Sequence, residues 1–369
     1  MSEEQRIDAD PMSPSDAAQP VASDGHASDV AAADAVSSAE DIERARAVES
    51  DQTEASKSAP PASLPARKRR LILIHGHGRK PLAGELENLW RSALRQGLTR
   101  DYGRKFARLR DAQVSFVYYG DLTQDIRQRP MRLDEELDLA DRYAGLAELS
   151  RRDAKKLFRS HHYFRLKGRS ALGRIALDVL APLARTVGAD EALIARYSPE
   201  LARYRADPDF AESLRARLRE ELEPALAAGE DVILVAHCLG SVIAYDVLWE
   251  ICQDKPSGRK LSCLLTLGSP LAADAVRRGL RGADESFERR YPTNIASWFN
   301  VAAQDDYVCY DQTVENDFAP MLQRRLISRI EDIGIFNFAR RYGRSNPHND
   351  VGYLVHPKTV AVLAQWYDR

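Results

Sequence analysis

Residues 231–245, DVILVAHCLGSVIAY, restrict the fold more than any other part of this chain. Val232 to Ala236 is a short continuous apolar run, the pattern of a strand buried on both faces. His237-Cys238-Leu239-Gly240 then makes a tight connection. From Ser241 the apolar residues Val242, Ile243, Val247 and Leu248 take helical spacing. A buried strand, a sharp turn and a helix form one unit of an α/β sheet. Cys238 stands at the apex. A turn this sharp is strained, and the start of the following helix favours negative charge, a field that suits a thiolate. The same residues also describe an inert buried core cysteine.

The rest of the chain supplies strands and turns to go with that unit. Residues 71–74 read as a first strand, entered from the basic run Arg67-Lys68-Arg69-Arg70 and ending in His75-Gly76-His77-Gly78. Glycines there let the backbone approach a bound group closely. As metal ligands His75 and His77 rank below a simple turn, because no Asp/His partner pattern accompanies them. Residues 84–97 place Leu86, Leu89, Trp90, Ala93 and Leu94 on one helical face. Residues 114–119 read as the next strand, with Tyr118, Tyr119 and Asp121 near its end. Further strands are expected at 261–267, before Gly268-Ser269-Pro270, and at 295–301, before Asp305-Asp306. Residues 332–342 form a mixed apolar segment. His348 lies in a polar loop ahead of a terminal helix at about 357–367, which presents Val360, Leu363 and Tyr367 on one face with Trp366 beside them.

Residues 125–230 interrupt this alternation. They are highly charged, contain Pro182, Pro199 and Pro208, and read as mainly helical, at about 133–150, 170–186, 190–197 and 209–228. A cap above a site and an ordinary helical layer are both compatible with that pattern. Within it, His161-His162-Tyr163-Phe164 breaks a very basic stretch, read as a charged surface loop ahead of an acidic-partner site.

The window Ala236-His237-Cys238-Leu239-Gly240 resembles the nucleophile elbow of the α/β-hydrolase family, whose pattern is G-x-S-x-G. Gly240 matches the final glycine, Ala236 replaces the first, and Cys238 stands in place of serine. The HGHG turn resembles the family's HG-type oxyanion loop, and a Gly-Ser-Pro turn is common where residues 268–270 fall. Aligning the arrangement N-x-x-x-x-x-D-x-V sets Asn300 at its start and Asp306 at the acid position, with Asp305 as an alternate acid. A loop before the last helix is the family's place for the base, which is His348 here. His356 and His237 compete with it, although a residue next to the apex of a sharp elbow points elsewhere. The order oxyanion glycines, Cys238, Asp306, His348 reproduces the family's order.

The resemblance covers about residues 69–369 apart from the insertion. It implies an α/β-hydrolase fold, a mostly parallel sheet with helices on both faces and a helical cap. It also implies a Cys238–His348–Asp306 triad with an oxyanion hole at Gly78 and Leu239. The implied activity is hydrolysis of an ester or thioester through an acyl-enzyme. A cysteine peptidase or amidase, an acyltransferase and an inactive binding or regulatory module remain as alternatives. No cofactor and no metal are expected, and the expected partner is a small-molecule or lipid-like acyl substrate.

Composition bears on what surrounds this domain. The net charge of −2 hides an uneven division. Residues 1–66 hold 14 acidic and four basic residues and no aromatic one, a balance of −10, which leaves +8 for the remaining 303 residues. Such a segment buries too little apolar surface to offset its ordering entropy, so residues 1–68 are expected to be a disordered acidic tail, open to a protein partner. The body is too mildly basic, and too poor in interleaved aromatics, for a nucleic-acid surface. Cys238, Cys252, Cys263 and Cys309 are 14, 11 and 46 residues apart and contain no CxxC pair, which argues against a zinc or disulfide framework. No apolar run reaches the roughly 18 residues of a membrane span, and no secretory signal pattern leads the chain. A cytoplasmic setting is the expectation, with export by a dedicated route left open.

Overall fold

The computed structural model describes residues 67–104, 114–126, 132–151, 198–254, 260–306, 308–309 and 311–368, without the side chains of 125 and 132–138. The tail through residue 66, the 161–164 motif and the helices expected at 170–186 and 190–197 lie outside the described residues.

Six strands form one sheet: β1 (Arg69–Ile74), β2 (Val114–Val117), β3 (Asp231–His237), β4 (Cys263–Leu267), β5 (Ser297–Ala303) and β6 (Arg329–Ile335). Their spatial order is β2-β1-β3-β4-β5-β6, and every pairing is parallel. The protein is therefore of the α/β class. A parallel sheet must be covered on both faces, which is why its inner strands read as unbroken apolar runs. Alternate residues divide between two cores. Ile72, Ile74, Val232, Leu234 and Ala236 face one side, and Leu71, Leu73, Ile233 and Val235 face the other.

The first face is covered by α4 (Pro199–Ala206), α5 (Pro208–Ala227) and α6 (Leu239–Asp254). The second is covered by α1 (Ala83–Tyr102), α3 (Arg132–Ser150), α9 (Asp350–Leu354) and α10 (Pro357–Tyr367). Short helices α2 (Gly120–Thr123), α7 (Asp274–Arg277) and α8 (Ala319–Gln323) lie in connections. The helix read from 84–97 is longer. Its buried stripe Leu86, Leu89, Trp90, Ala93, Leu94 and Leu98 carries α1 on to Tyr102, where Gly103 at φ 85° stops it. Trp366 is buried in α10 and donates from Nε1 to Asp231 Oδ1 at the start of β3 (2.9 Å).

Several strand boundaries differ from the sequence reading, β5 among them at Ser297–Ala303. β2 stops at Val117 rather than 119, and Leu261 makes only an isolated parallel bridge with Ile295 before β4 begins. A larger difference is β6, which the mixed segment at 332–342 did not reveal. It is an edge strand, apolar only at Ile330, Ile333 and Ile335, with Glu331 and Asp332 in its middle. Asp332 is needed there. Its carboxylate accepts from Asn300 Nδ2 (2.9 Å), Val314 N (3.0 Å) and Glu315 N (2.9 Å), pinning the connection after β5.

The topology fixes where a ligand can bind. From β1 the chain moves to β2 on one side, then returns to β3 on the other side of β1. β1 and β3 are thus neighbours whose outgoing connections lead to α1 and α6, on opposite faces. A crevice outside the C-terminal ends of the strands opens at such a switch point. The turn at 75–78 and the apex at Cys238 meet there. Among the described residues no helix is long and apolar enough to cross a membrane.

Candidate functional site

Cys238 sits between β3 and α6 with φ 51°, one of three described non-glycine residues in the left-handed region. Its N–H donates to Leu267 O (3.0 Å), and its carbonyl accepts from Ser241 N (2.9 Å) and Ser241 Oγ (2.5 Å). Ser241 Oγ is also hydrogen-bonded to Ser269 Oγ (2.7 Å), which ties the Gly-Ser-Pro turn to the elbow. Two glycines make the turn possible by close approach. A Cβ on Gly240 would lie 2.5 Å from His75 O, and one on Gly76 would lie 2.6 Å from Cys238 Cβ. The loop after β1 and the first turn of α6 are therefore pressed together around the sulfur.

Two imidazoles flank that sulfur. One donor atom from each of His77, Cys238 and His348 lies within 4.8 Å of the other two. His348 precedes α9, and its Nδ1 donates to Asp306 Oδ2 (2.7 Å) in the turn after β5. Its Nε2 is buried without a hydrogen bond of ordinary geometry. Cys238 and His348 nevertheless act strongly on each other's charge. His77 is held at Nδ1 by Ser198 Oγ (2.7 Å), the cap of α4.

These neighbours set the charge states. Burial pushes the Cys238 thiol up, but His77 and His348 outweigh it and hold the thiol well below its ordinary value. Burial also disfavours a charged His348, yet Asp306 and then Cys238 raise it to about 10. For Asp306 burial is again opposed, by His348 and by hydrogen bonds from His348, Tyr353 and the Val308 amide, which hold the carboxyl at about 2. The arrangement is a thiolate–imidazolium pair backed by a buried carboxylate. Asp305 differs from its neighbour. Burial, with repulsion from Asp306, pushes it up to about 7, and the His348 ring bonds Asp306 instead.

The other histidines have structural places. His75 accepts at Nε2 from Tyr119 N (3.1 Å) and donates from Nδ1 to Gly76 O (2.8 Å), and burial lowers it to about 3, so it is neutral. His237 donates from Nε2 to the His348 carbonyl (3.2 Å), with its ring centroid 4.8 Å from that of His348. Burial keeps it neutral too. His356 caps α10, accepting from Lys358 N (3.2 Å). Asn300 is a strand residue that clamps Thr266, Asp332 and Gln312.

The two residues read as an oxyanion hole fare differently. Leu239 begins α6, where helix geometry leaves N–H groups without intrahelical partners next to Cys238. Gly78 does not present an open amide. Its N–H donates to Glu200 Oε1 (3.1 Å), a carboxylate brought down by the first turn of α4. That pairing needs α4 docked over the turn, a contact between residues 122 positions apart.

Three contributors lie outside the sequence-derived site. Tyr353 donates from its hydroxyl to Asp306 Oδ2 (2.7 Å), sharing the oxygen that holds His348. Glu200 occupies the Gly78 amide. The His77 ring joins Cys238, whereas the sequence reading weighed it only as a metal ligand ranked below a simple turn. Spacing offered a faint signal for Tyr353, five residues after His348 and within the short helix α9, and none for Glu200. Comparison with protein families, with curated proteins and with solved structures found no match to this chain.

Proposed function

We propose that the chain is a hydrolase of the α/β-hydrolase type that cleaves an ester or thioester through an acyl-Cys238 intermediate. The observation that carries this reading is the ordered pair at His348. Its Nδ1 is fixed at 2.7 Å from buried Asp306, and its other nitrogen is left for the sulfur at the strained elbow. Support for the fold type comes from the switch-point position of the elbow and from the order Cys238, Asp306, His348 along the chain.

The proposed chemistry runs in two halves. The Cys238 thiolate attacks the carbonyl carbon, a C–S bond forms, and the carbonyl electron pair moves to oxygen. The Leu239 amide at the start of α6 receives that oxyanion. Collapse breaks the bond to the leaving alcohol or thiol, which takes the proton from His348 Nε2. Water then attacks the acyl-thioester and gives a proton back to His348, and Cys238 departs as thiolate. Asp306 orients the ring and stabilises its charge without taking the proton. Gly78 joins the hole only once a substrate oxygen displaces Glu200. A thiolate leaves readily and suits activated esters and thioesters better than plain amides.

The test is a panel of short-chain p-nitrophenyl esters and acyl-thioesters, with mass spectrometry of the quenched protein. The expected result is an acyl adduct on the peptide containing Cys238. Cys238→Ala and His348→Ala should each lower turnover by about 10³-fold or more. Turnover that survives Cys238→Ala unchanged defeats the reading, and absence of turnover and adduct across the panel favours an inactive binding module.

A further inference from the structure

We propose that His77, Cys238 and His348 form a three-ligand zinc site, and that Zn²⁺ bound there holds the nucleophile in a closed, unreactive form. The binding claim stands on geometry alone; only its inhibitory consequence rests on the hydrolase reading.

The donor set is the first argument. One sulfur and two imidazole nitrogens lie within 4.8 Å of one another at the mouth of the β1–β3 switch point. In a tetrahedral zinc site, Zn–S near 2.3 Å and Zn–N near 2.0 Å put such donors about 3.4–3.6 Å apart. Closing the cluster therefore takes movements on the order of 1 Å, within reach of side chains whose loops are otherwise fixed. Thiolate and imidazole select zinc over calcium or magnesium, which require oxygen ligands.

The second argument is how the rings are held. Histidines that bind a metal through one nitrogen are oriented by a hydrogen bond at the other. Both rings here have that second bond. His348 Nδ1 is tied to Asp306 Oδ2 and His77 Nδ1 to Ser198 Oγ, each at 2.7 Å. His348 Nε2 is buried and without a hydrogen-bond partner. Two rings anchored at Nδ1, with Cys238 beside them, leave Nε2 of each as the atom available to a shared cation. Catalysis as proposed needs only one base, and His77 is a second anchored ring held beside the same sulfur.

Charge supports the third ligand. Thiolate and Zn²⁺ together carry +1, and the buried Asp306 behind His348 brings the group to neutrality. On binding, a lone pair of the Cys238 thiolate bonds the metal. The His348 imidazolium gives its Nε2 proton to solvent and the freed lone pair bonds the metal in turn, so nucleophile and base are withdrawn together. The fourth position stays open to water or to a substrate oxygen.

The experiment uses the reduced full chain, cleared of metal with a chelator and dialysed, then titrated with Co²⁺. The expected result is one equivalent bound, with near-ultraviolet thiolate-to-cobalt charge-transfer absorption and visible bands of tetrahedral intensity. Zn²⁺ should displace the cobalt. Cys238→Ser should lose the charge-transfer absorption, and His77→Ala should weaken zinc binding by about 100-fold or more. Ser198→Ala, a milder change, should weaken it by about tenfold. Circular dichroism melts establish that each variant is folded. The proposal is overturned if folded wild type shows no thiolate-to-cobalt absorption, or if Cys238→Ser or His77→Ala binds with wild-type affinity. A chain that forms acyl-Cys238 in chelator yet binds no cobalt defeats the zinc site alone. One that binds cobalt yet never acylates defeats the hydrolase reading alone.

Discussion

Asp306 decides what kind of residue Cys238 is. A buried thiol beside two neutral imidazoles would stay protonated, because burial penalises the thiolate. The carboxylate behind His348 makes the imidazolium favourable, and the imidazolium in turn makes the thiolate favourable. The sign follows directly. Thiolate is present above the lowered Cys238 value, and the pair persists until His348 loses its proton near 10. Alkylation of Cys238 by iodoacetamide should therefore proceed at a nearly constant rate from neutral to mildly alkaline pH. In Asp306→Asn the thiolate loses the support of the His348 imidazolium while burial and His77 remain, so the rate at neutral pH should fall and then rise with pH, and turnover should fall by about 10²–10⁴-fold. Stopped-flow alkylation across that range measures the first, and a wild-type rate that already climbs like a free thiol's contradicts it. Much of this site was legible in the sequence. Cys238, Asp306 and His348 each sit at a strand end or before the last helix, positions that a linear pattern can mark. Tyr353, Glu200 and the His77 ring were not legible, because each acts through a partner that only the folded sheet brings near.

Helix α9 shows how an element positions a side chain of the site that it does not contain. His348 lies two residues ahead of it, and α9 is fixed by Asp350 at its first turn. That carboxylate accepts from Trp90 Nε1 of α1 (2.9 Å) and pairs with Arg142 of α3 (3.1 Å). Burial would push the Asp350 carboxyl up, but Arg142, then Lys80 and the Trp90 hydrogen bond, outweigh it and hold it well below the ordinary carboxylate range. A carboxyl depressed on folding stabilises the protein above its unfolded value, about 3.9, and that contribution is lost as pH falls below it. Asp350→Asn leaves the nearly buried Arg142 without its carboxylate and should cost about 3 kcal/mol. Urea unfolding at neutral pH checks the loss. Titration below pH 4 should show a shallower acid decline in the variant than in wild type. Gly240→Ala belongs to the same scale. Its Cβ would meet backbone oxygens of His75 and Ile74 at 2.5 and 2.9 Å, neither of which can swing aside. It should destabilise by about 1–3 kcal/mol and lower turnover with it. Elements buried on both faces announced themselves by unbroken apolar runs. β6 did not, because an edge strand buries fewer residues and this one spends Asp332 on a neighbouring loop.

Across the whole molecule the site is a property of the sheet rather than of any local segment. The turn after β1, the elbow after β3, the turn after β5 and the loop before α9 supply it, and the sheet places them at one end. The two faces are knitted separately. On the α5–α6 side, Glu250 is shared by Arg215 (2.9 Å), Arg281 (3.2 Å) and Arg219, while Tyr204 donates to buried Asp246 (2.7 Å). The opposite face rests on α1 and α10. If the sheet joins these faces into one cooperative unit, no part of the site can open much below global unfolding. Buried free cysteines happen to report on three places. Cys252 lies near the end of α6, Cys263 opens β4 in the middle of the sheet, and Cys309 lies beside Tyr353 behind the site (Sγ to hydroxyl 3.6 Å). In a Cys238→Ser background, pulse labelling of these thiols along a urea titration should give one common midpoint, matching that of far-ultraviolet circular dichroism. Labelling of Cys309 at clearly lower urea than Cys263 would mean that the acid-bearing turn opens on its own. In that case the Asp306–His348 pair should be lost first, and turnover should fail at the Cys309 midpoint rather than with the sheet.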